Sequence, residues 1–118
     1  MLNGIIGKKK VYIVTGYTDM RKGIDGLAAI VQGKLLLDPY SKALFLFCDK
    51  NPRKLKGLLW EGDGFLLLSK RLESRKYRWP RNEYEAFELS EQQLRWLLEG
   101  LEIEQKKEIK PGKQGVLY

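Results

Sequence analysis

The apolar positions of the chain fall into several short alternating or continuous runs and two helical stripes. Residues 11–15 (VYIVT) are β-branched and aromatic, the composition of a strand. Residues 43–48 (ALFLFC) form a continuous apolar run of strand length, expected of a central strand covered on both faces. Residues 54–80 (KLKGLLWEGDGFLLLSKRLESRKYRWP) read as three short strands in a row. Asp63-Gly64 supplies a tight-hairpin signal between the first two. The third is expected over residues 76–79, where basic and aromatic residues alternate before Pro80, which lacks the N–H a strand needs.

Because side chains alternate across a strand, the hairpin divides into two faces. A two-residue loop puts Leu55, Gly57, Leu59, Leu66, Leu68, Lys70 and Leu72 on one face, nearly all apolar and expected against the core. Lys54, Lys56, Leu58, Trp60, Phe65, Leu67, Ser69 and Arg71 fall on the other, which is apolar near the turn and basic at the far end. A three-residue loop would change this pairing of faces.

The helical stripes lie on either side of these strands. Met20, Ile24, Leu27 and Val31 are spaced 4, 3 and 4, predicting a helix over residues 20–32, with Thr18 or Asp19 as its cap. Gly23 and Gly26 weaken that helix and suggest close approach to the sheet or to a partner. Near the other end, Ser90 with Gln93 makes a capping-box pattern ahead of Leu94, Leu97, Leu98 and Leu101, predicting a helix over residues 91–102. Trp96 lies beside that leucine stripe as core rim or partner anchor.

Charge changes the picture most over residues 50–81. Ten Lys/Arg face three acids there, a net +7 that equals the net charge of the whole chain of 118 residues. A basic, partly aromatic surface suits a polyanion, since Lys and Arg neutralise phosphates and release counterions. The DNA-binding candidates are Arg53, Lys54, Lys56, Lys70, Arg71, Arg75, Lys76, Arg78 and Arg81. Arg21 and Lys22 join them at the first helix, where they hold a phosphate, edge the helix, or pair locally through Arg21 and Asp25. A solvated sheet face, with Lys discouraging edge pairing, is the plainer alternative for the hairpin. Trp60 and Phe65 are candidates for contact with a protein partner.

Other chemistries narrow quickly. There is no histidine, which removes Ser-His-Asp and Cys-His nucleophile activation. Cys48, the single cysteine, is expected to be a buried hydrophobe with no catalytic or metal role. Glu61 and Asp63 make a poor metal site, being two carboxylates in a turn with no third ligand near them in sequence. The acids of residues 82–105 are expected on a solvated helix face. GDG at residues 62–64 lacks the Lys-Ser/Thr of a phosphate-binding loop. No run of about 18 apolar residues is present, so a cytoplasmic protein without a membrane span is expected. No cofactor is expected.

Several motifs in order resemble a known family. Thr18-Asp19-Met20-Arg21-Lys22-Gly23 with Asp25-Gly26-Leu27 is followed by Leu44-Phe45-Leu46-Phe47 and by Trp60-Glu61-Gly62-Asp63-Gly64. Lys70-Arg71-Leu72-Glu73, then Tyr77, Trp79 and Pro80, and the closing helix through Gly100-Leu101 complete the series. Over residues 11–103 the chain resembles the TnpB-type accessory protein of the IS-sixty-six group of insertion sequences. The resemblance implies a role in DNA transposition beside a separate, larger transposase that carries the strand-transfer site.

The expectation is an α+β domain over residues 1–103 with a flexible tail over 104–118. Its mostly antiparallel sheet has four or five strands, one helix after the first strand and one C-terminal helix. The expected function is non-enzymatic: DNA binding, at the ends of the insertion element, through a basic sheet face, with assistance to the transposase of the same element. The alternative is a protein–protein adaptor that recruits the transposase without touching DNA.

Overall fold

The computed structural model describes residue 7 and residues 9–104. Its elements are β1 (Val11–Val14), α1 (Ile24–Ala29), β2 (Leu44–Cys48), β3 (Lys54–Trp60), β4 (Phe65–Arg71), β5 (Ala86–Leu89) and α2 (Glu91–Leu98). α1 runs on into a wider π-helical turn, Ile30–Lys34. The strands form one sheet in the order β4-β3-β2-β1-β5. β1 and β2 are parallel, as their helical crossover allows, and every other pair is antiparallel. This is the expected α+β architecture, with β2 at the centre.

β2 has no polar position because both of its faces are covered, and all five of its residues are buried. Leu44, Leu46 and Cys48 face a core that also takes in Val11, Ile13, Leu55 and Leu59, closed by Leu94 and Leu97 of α2. Phe45 and Phe47 face a second core with Val14 and Leu58, closed by Leu27, Ile30 and Val31. Gly57 lets the first layer close: a Cβ there would lie 3.1 Å from Leu44 Cδ1 and 3.4 Å from Leu46 Cδ2.

The first helix starts later than its apolar stripe predicts. Asp19 Oδ1 accepts the Arg21 N–H at 2.9 Å, closing a local turn that competes with helix over residues 19–22. The helix is capped by Gly23 without a side-chain bond, and Thr18 and Asp19 are not its caps. The stripe itself packs as expected, with Met20 and Ile24 against the core of Leu27 and Val31. The two glycines do not serve close approach to the sheet: Gly26 meets only the Lys22 stem and Gly23 faces open space.

The hairpin loop has four residues, not two. Glu61 N–H donates to Gly64 O at 2.9 Å and Gly62 takes φ +98°. An even loop preserves parity, so the faces pair as predicted, with Lys54 opposite Arg71, Leu58 opposite Leu67 and Trp60 opposite Phe65. The second face is not open, however, because the helical segment covers it and leaves Leu58 buried.

Residues 76–79 are not a strand. The chain there crosses from the β4 edge towards the β5 edge, so no neighbouring strand is available for pairing. The alternation still operates: Tyr77 and Trp79 are both buried in the first core. Tyr77 N–H donates to Pro52 O at 2.7 Å, and Trp79 Nε1–H to Val14 O at 2.9 Å. The fifth strand, Ala86–Leu89, lies in the acid-rich segment and pairs with β1.

α2 carries the full capping box, Gln93 N–H to Ser90 Oγ and Ser90 N–H to Gln93 Oε1, both 3.0 Å. It ends at Leu98, short of residue 102, because Gly100 turns the chain at φ +85°. Gly100 N–H donates to Leu97 O and Leu101 N–H to Trp96 O, the paired bonds of a Schellman close. The tail expected over residues 104–118 lies, apart from Glu104, outside the described residues. No helix among them is long and apolar enough to cross a membrane.

Candidate functional site

Strand register decides where the cations go. Cys48, Leu55 and Lys70 align across β2, β3 and β4. β1 runs parallel to β2. The segments after β1 and β2, the start of β3 and the end of β4 therefore share one end of the sheet. Arg21, Lys22, Arg53, Lys54, Lys56, Lys70 and Arg71 all belong to that end. The crossing segment joins them there, since Leu72 N–H donates to Arg53 O and Gly16 N–H to Pro80 O. The basic surface is thus an end of the sheet, with Lys54, Lys56 and Arg71 on one face of the hairpin and Lys70 on the other.

The eleven candidate cations divide by what they touch. Three hold backbone carbonyls. Lys56 Nζ donates to Met20 O at 2.7 Å and Lys22 O at 2.9 Å, fastening the turn before α1 to β3. Arg75 donates to Glu99 O at 3.0 Å, closing the C-terminus of α2, where cations are favoured. Arg81 donates to Gly16 O at 2.7 Å, Asp49 O at 2.8 Å and Lys50 O at 3.0 Å, tying the loops after β1 and β2 together.

Three more are paired with carboxylates: Arg21 with Asp19 at 2.7 Å, Arg71 with Glu73 at 2.9 Å, and Arg78 with Glu102 at 3.3 Å. Arg21 pairs with Asp19 and not with Asp25, through both carboxylate oxygens. Its guanidinium bonds, with its backbone N–H, hold the Asp19 carboxyl well below the usual carboxylate range. The side chains of Lys22, Arg53, Lys54, Lys70 and Lys76 are exposed and make no hydrogen bond or ion pair among the described residues.

Beside this end the fold builds a groove that no sequence motif announces. It is lined by residues 16–19 together with Lys22, Lys34, Arg81, Asn82 and Tyr84, and its volume is about 540 Å³. Tyr17 stands half exposed at its wall and belongs to neither core. Lys50 Nζ lies 5.8 Å and Arg81 Cζ 6.0 Å from its ring centre. Tyr84 forms another wall, its hydroxyl 2.9 Å from Thr18 Oγ1, with Lys34 Nζ 5.6 Å from its ring centre. Tyr17, Lys34, Lys50 and Tyr84 come from four separate segments, so sequence spacing carries no signal of the cluster.

Trp60 and Phe65 sit at the other end of the hairpin. Their ring centres are 4.9 Å apart, and Tyr40 packs on both at 5.0 and 5.3 Å. Trp60 is only partly exposed, while Tyr40 presents more than half its surface. Glu61 and Asp63 occupy the loop at this same end, remote from the basic surface. Among the described residues, no three His, Cys, Asp or Glu side chains are grouped to hold a metal. Cys48 is fully buried, and burial pushes its thiol up to about 12.

Comparison with known proteins places these features in a family. The chain is 40% identical over 93 residues to the uncharacterized protein y4hO of Sinorhizobium fredii (strain NBRC 101917 / NGR234), covering 79% of this chain and 81% of that one. It is 34% identical over 93 residues to the uncharacterized protein y4jC of the same organism, covering 79% and 80%. No solved structure matches. The IS66 Orf2-like family profile matches residues 9–108, which takes in every strand and helix described above. The chain therefore belongs to the IS66 Orf2-like family, a family of transposition-associated accessory proteins.

Proposed function

We propose that this protein binds DNA through the basic end of its sheet, at the ends of the insertion element, and there assists a separate transposase. The observation that carries the proposal is the gathering of Lys22, Arg53, Lys54, Lys70 and Lys76 at one end without ion partners. Exposed, unpaired cations on several converging segments suit a phosphate backbone, which needs charge and reach more than fixed geometry. No chemistry of its own is proposed. Glu61 and Asp63, the two carboxylates of the hairpin loop, belong to the opposite end. Metal-dependent cleavage by the pure protein, lost on Asp63→Ala, would contradict this.

The adaptor reading has its own observation in the Tyr40–Trp60–Phe65 cluster. The seven-residue strands of the hairpin separate the two surfaces by about 20 Å, so each can be altered alone. The deciding experiment titrates duplex DNA carrying the element's terminal repeats, with and without the transposase. Lys54→Ala with Lys70→Ala should weaken DNA binding and leave transposase capture in place. Trp60→Ala should leave DNA affinity unchanged. A folded charge variant with normal DNA affinity, together with a Trp60 variant that no longer captures transposase, would replace the DNA interface by the adaptor.

A further inference from the structure

We infer that the groove at Tyr17 holds an unpaired nucleotide, with its base against the Tyr17 ring and its phosphate among the lysines that line the groove. The inference rests on the proposed DNA binding and adds a site and a strand preference to it.

The groove has the parts that a single-strand site requires. Its volume of about 540 Å³ lies within the range of small-ligand sites. Three cations line it, Lys22, Lys34 and Arg81, against one carboxylate, Asp19, which is already engaged by Arg21. Lys50 extends the positive rim beside Tyr17. Tyr17 is 56% exposed and packs in neither core, so its ring is not committed to the interior of the fold. Lys50 Nζ and Arg81 Cζ lie over the ring at 5.8 and 6.0 Å from its centre, at the outer limit of cation–π contact.

The backbone that leads into Tyr17 is held in place. Gly16 adopts φ +77°, and its carbonyl accepts from Arg81, which bonds the 49–50 backbone at the same time. An exposed aromatic flanked by cations is the recurring platform for unpaired bases. In duplex DNA the base faces are stacked on one another and unavailable to such a ring. A duplex phosphate ridge would use the lysines and leave Tyr17 idle, which makes the two forms of DNA separable by one residue.

The test measures fluorescence anisotropy at one fixed salt concentration. The probes are a thymidine oligonucleotide of about 15 nucleotides and a duplex of the same length. Tyr17→Ala should weaken single-strand binding about tenfold and change duplex binding less than about twofold. Tyr17→Phe should retain single-strand binding. Tyr17→Leu keeps bulk and removes the π-face, so it serves if the alanine variant loses its fold. If duplex binding is present and sensitive to Lys54→Ala with Lys70→Ala, but Tyr17 substitutions leave single-strand binding unchanged, the groove assignment falls and the DNA interface stands. If Tyr17→Ala weakens both forms equally, the single-strand assignment likewise falls. If the wild-type protein binds neither form, the DNA interface itself is overturned and the groove assignment with it.

Discussion

Lys56 and Lys54 are two residues apart on the same face of β3 and do different work. The Lys56 ammonium is fixed by two carbonyls of the turn before α1, whereas the Lys54 side chain has no such partner. Lys56→Ala should destabilise the fold by about 1–2 kcal/mol, and Lys54→Ala should stay within about 0.5 kcal/mol. Urea unfolding of both variants checks this, and equal midpoints would contradict it. Nothing local distinguishes them in the sequence, because the partners of Lys56 lie more than thirty residues earlier. Counting charge located the basic segment; it could not tell carbonyl-bound cations from free ones.

Cys48 makes a second prediction at this scale. Burial raises its thiol to about 12, so native protein at pH 8 should resist thiol reagents that react at once in denaturant. A folded value above the unfolded value of about 8.5 contributes stability that is present below pH 8.5. That contribution is lost as pH rises towards 12. Cys48→Ser should reduce this alkaline loss; an unchanged alkaline profile would contradict the cause.

Among the elements, α2 tests how far local signals control the structure. Its capping box was legible from Ser90 and Gln93 alone, and Ser90→Ala should cost about 1 kcal/mol in thermal or urea unfolding. Gly57→Val should cost more, about 1–3 kcal/mol, because the Cβ alone already meets Leu44 at 3.1 Å. β2 was legible because a strand covered on both faces has nowhere to place a polar residue. β5 was missed because its Glu88 and the neighbouring acids suggested a solvated helix, although an edge strand also tolerates acids on its open face. Residues 76–79 misled in the opposite sense. Alternation reports which side chains point inwards, and Tyr77 and Trp79 do, but a strand also needs a neighbour to pair with.

At the scale of the whole molecule, charge is sorted across the sheet. The β3–β4 side carries Lys54, Lys56, Lys70 and Arg71, and the β5–α2 side carries Glu85, Glu88, Glu91 and Glu99. The net charge of +7 understates this asymmetry. Such a charge distribution attracts a polyanion to the basic end and repels it from the acidic edge. That end collects segments far apart in sequence because β1, β2 and β4 run one way while β3 returns against them. The parallel pair was not foreseen, and without it Lys22 has no reason to lie near the hairpin cations.

The salt dependence of duplex DNA affinity tests the central claim most directly. With about five to eight phosphates contacted by the basic end, log affinity should fall against log salt with a slope of about −4 to −7. Lys54→Ala with Lys70→Ala should flatten that slope by about 2 in a protein whose unfolding midpoint is unchanged. A slope near zero between low and physiological salt, or a double variant that keeps the wild-type slope, would contradict a DNA interface at this end of the sheet.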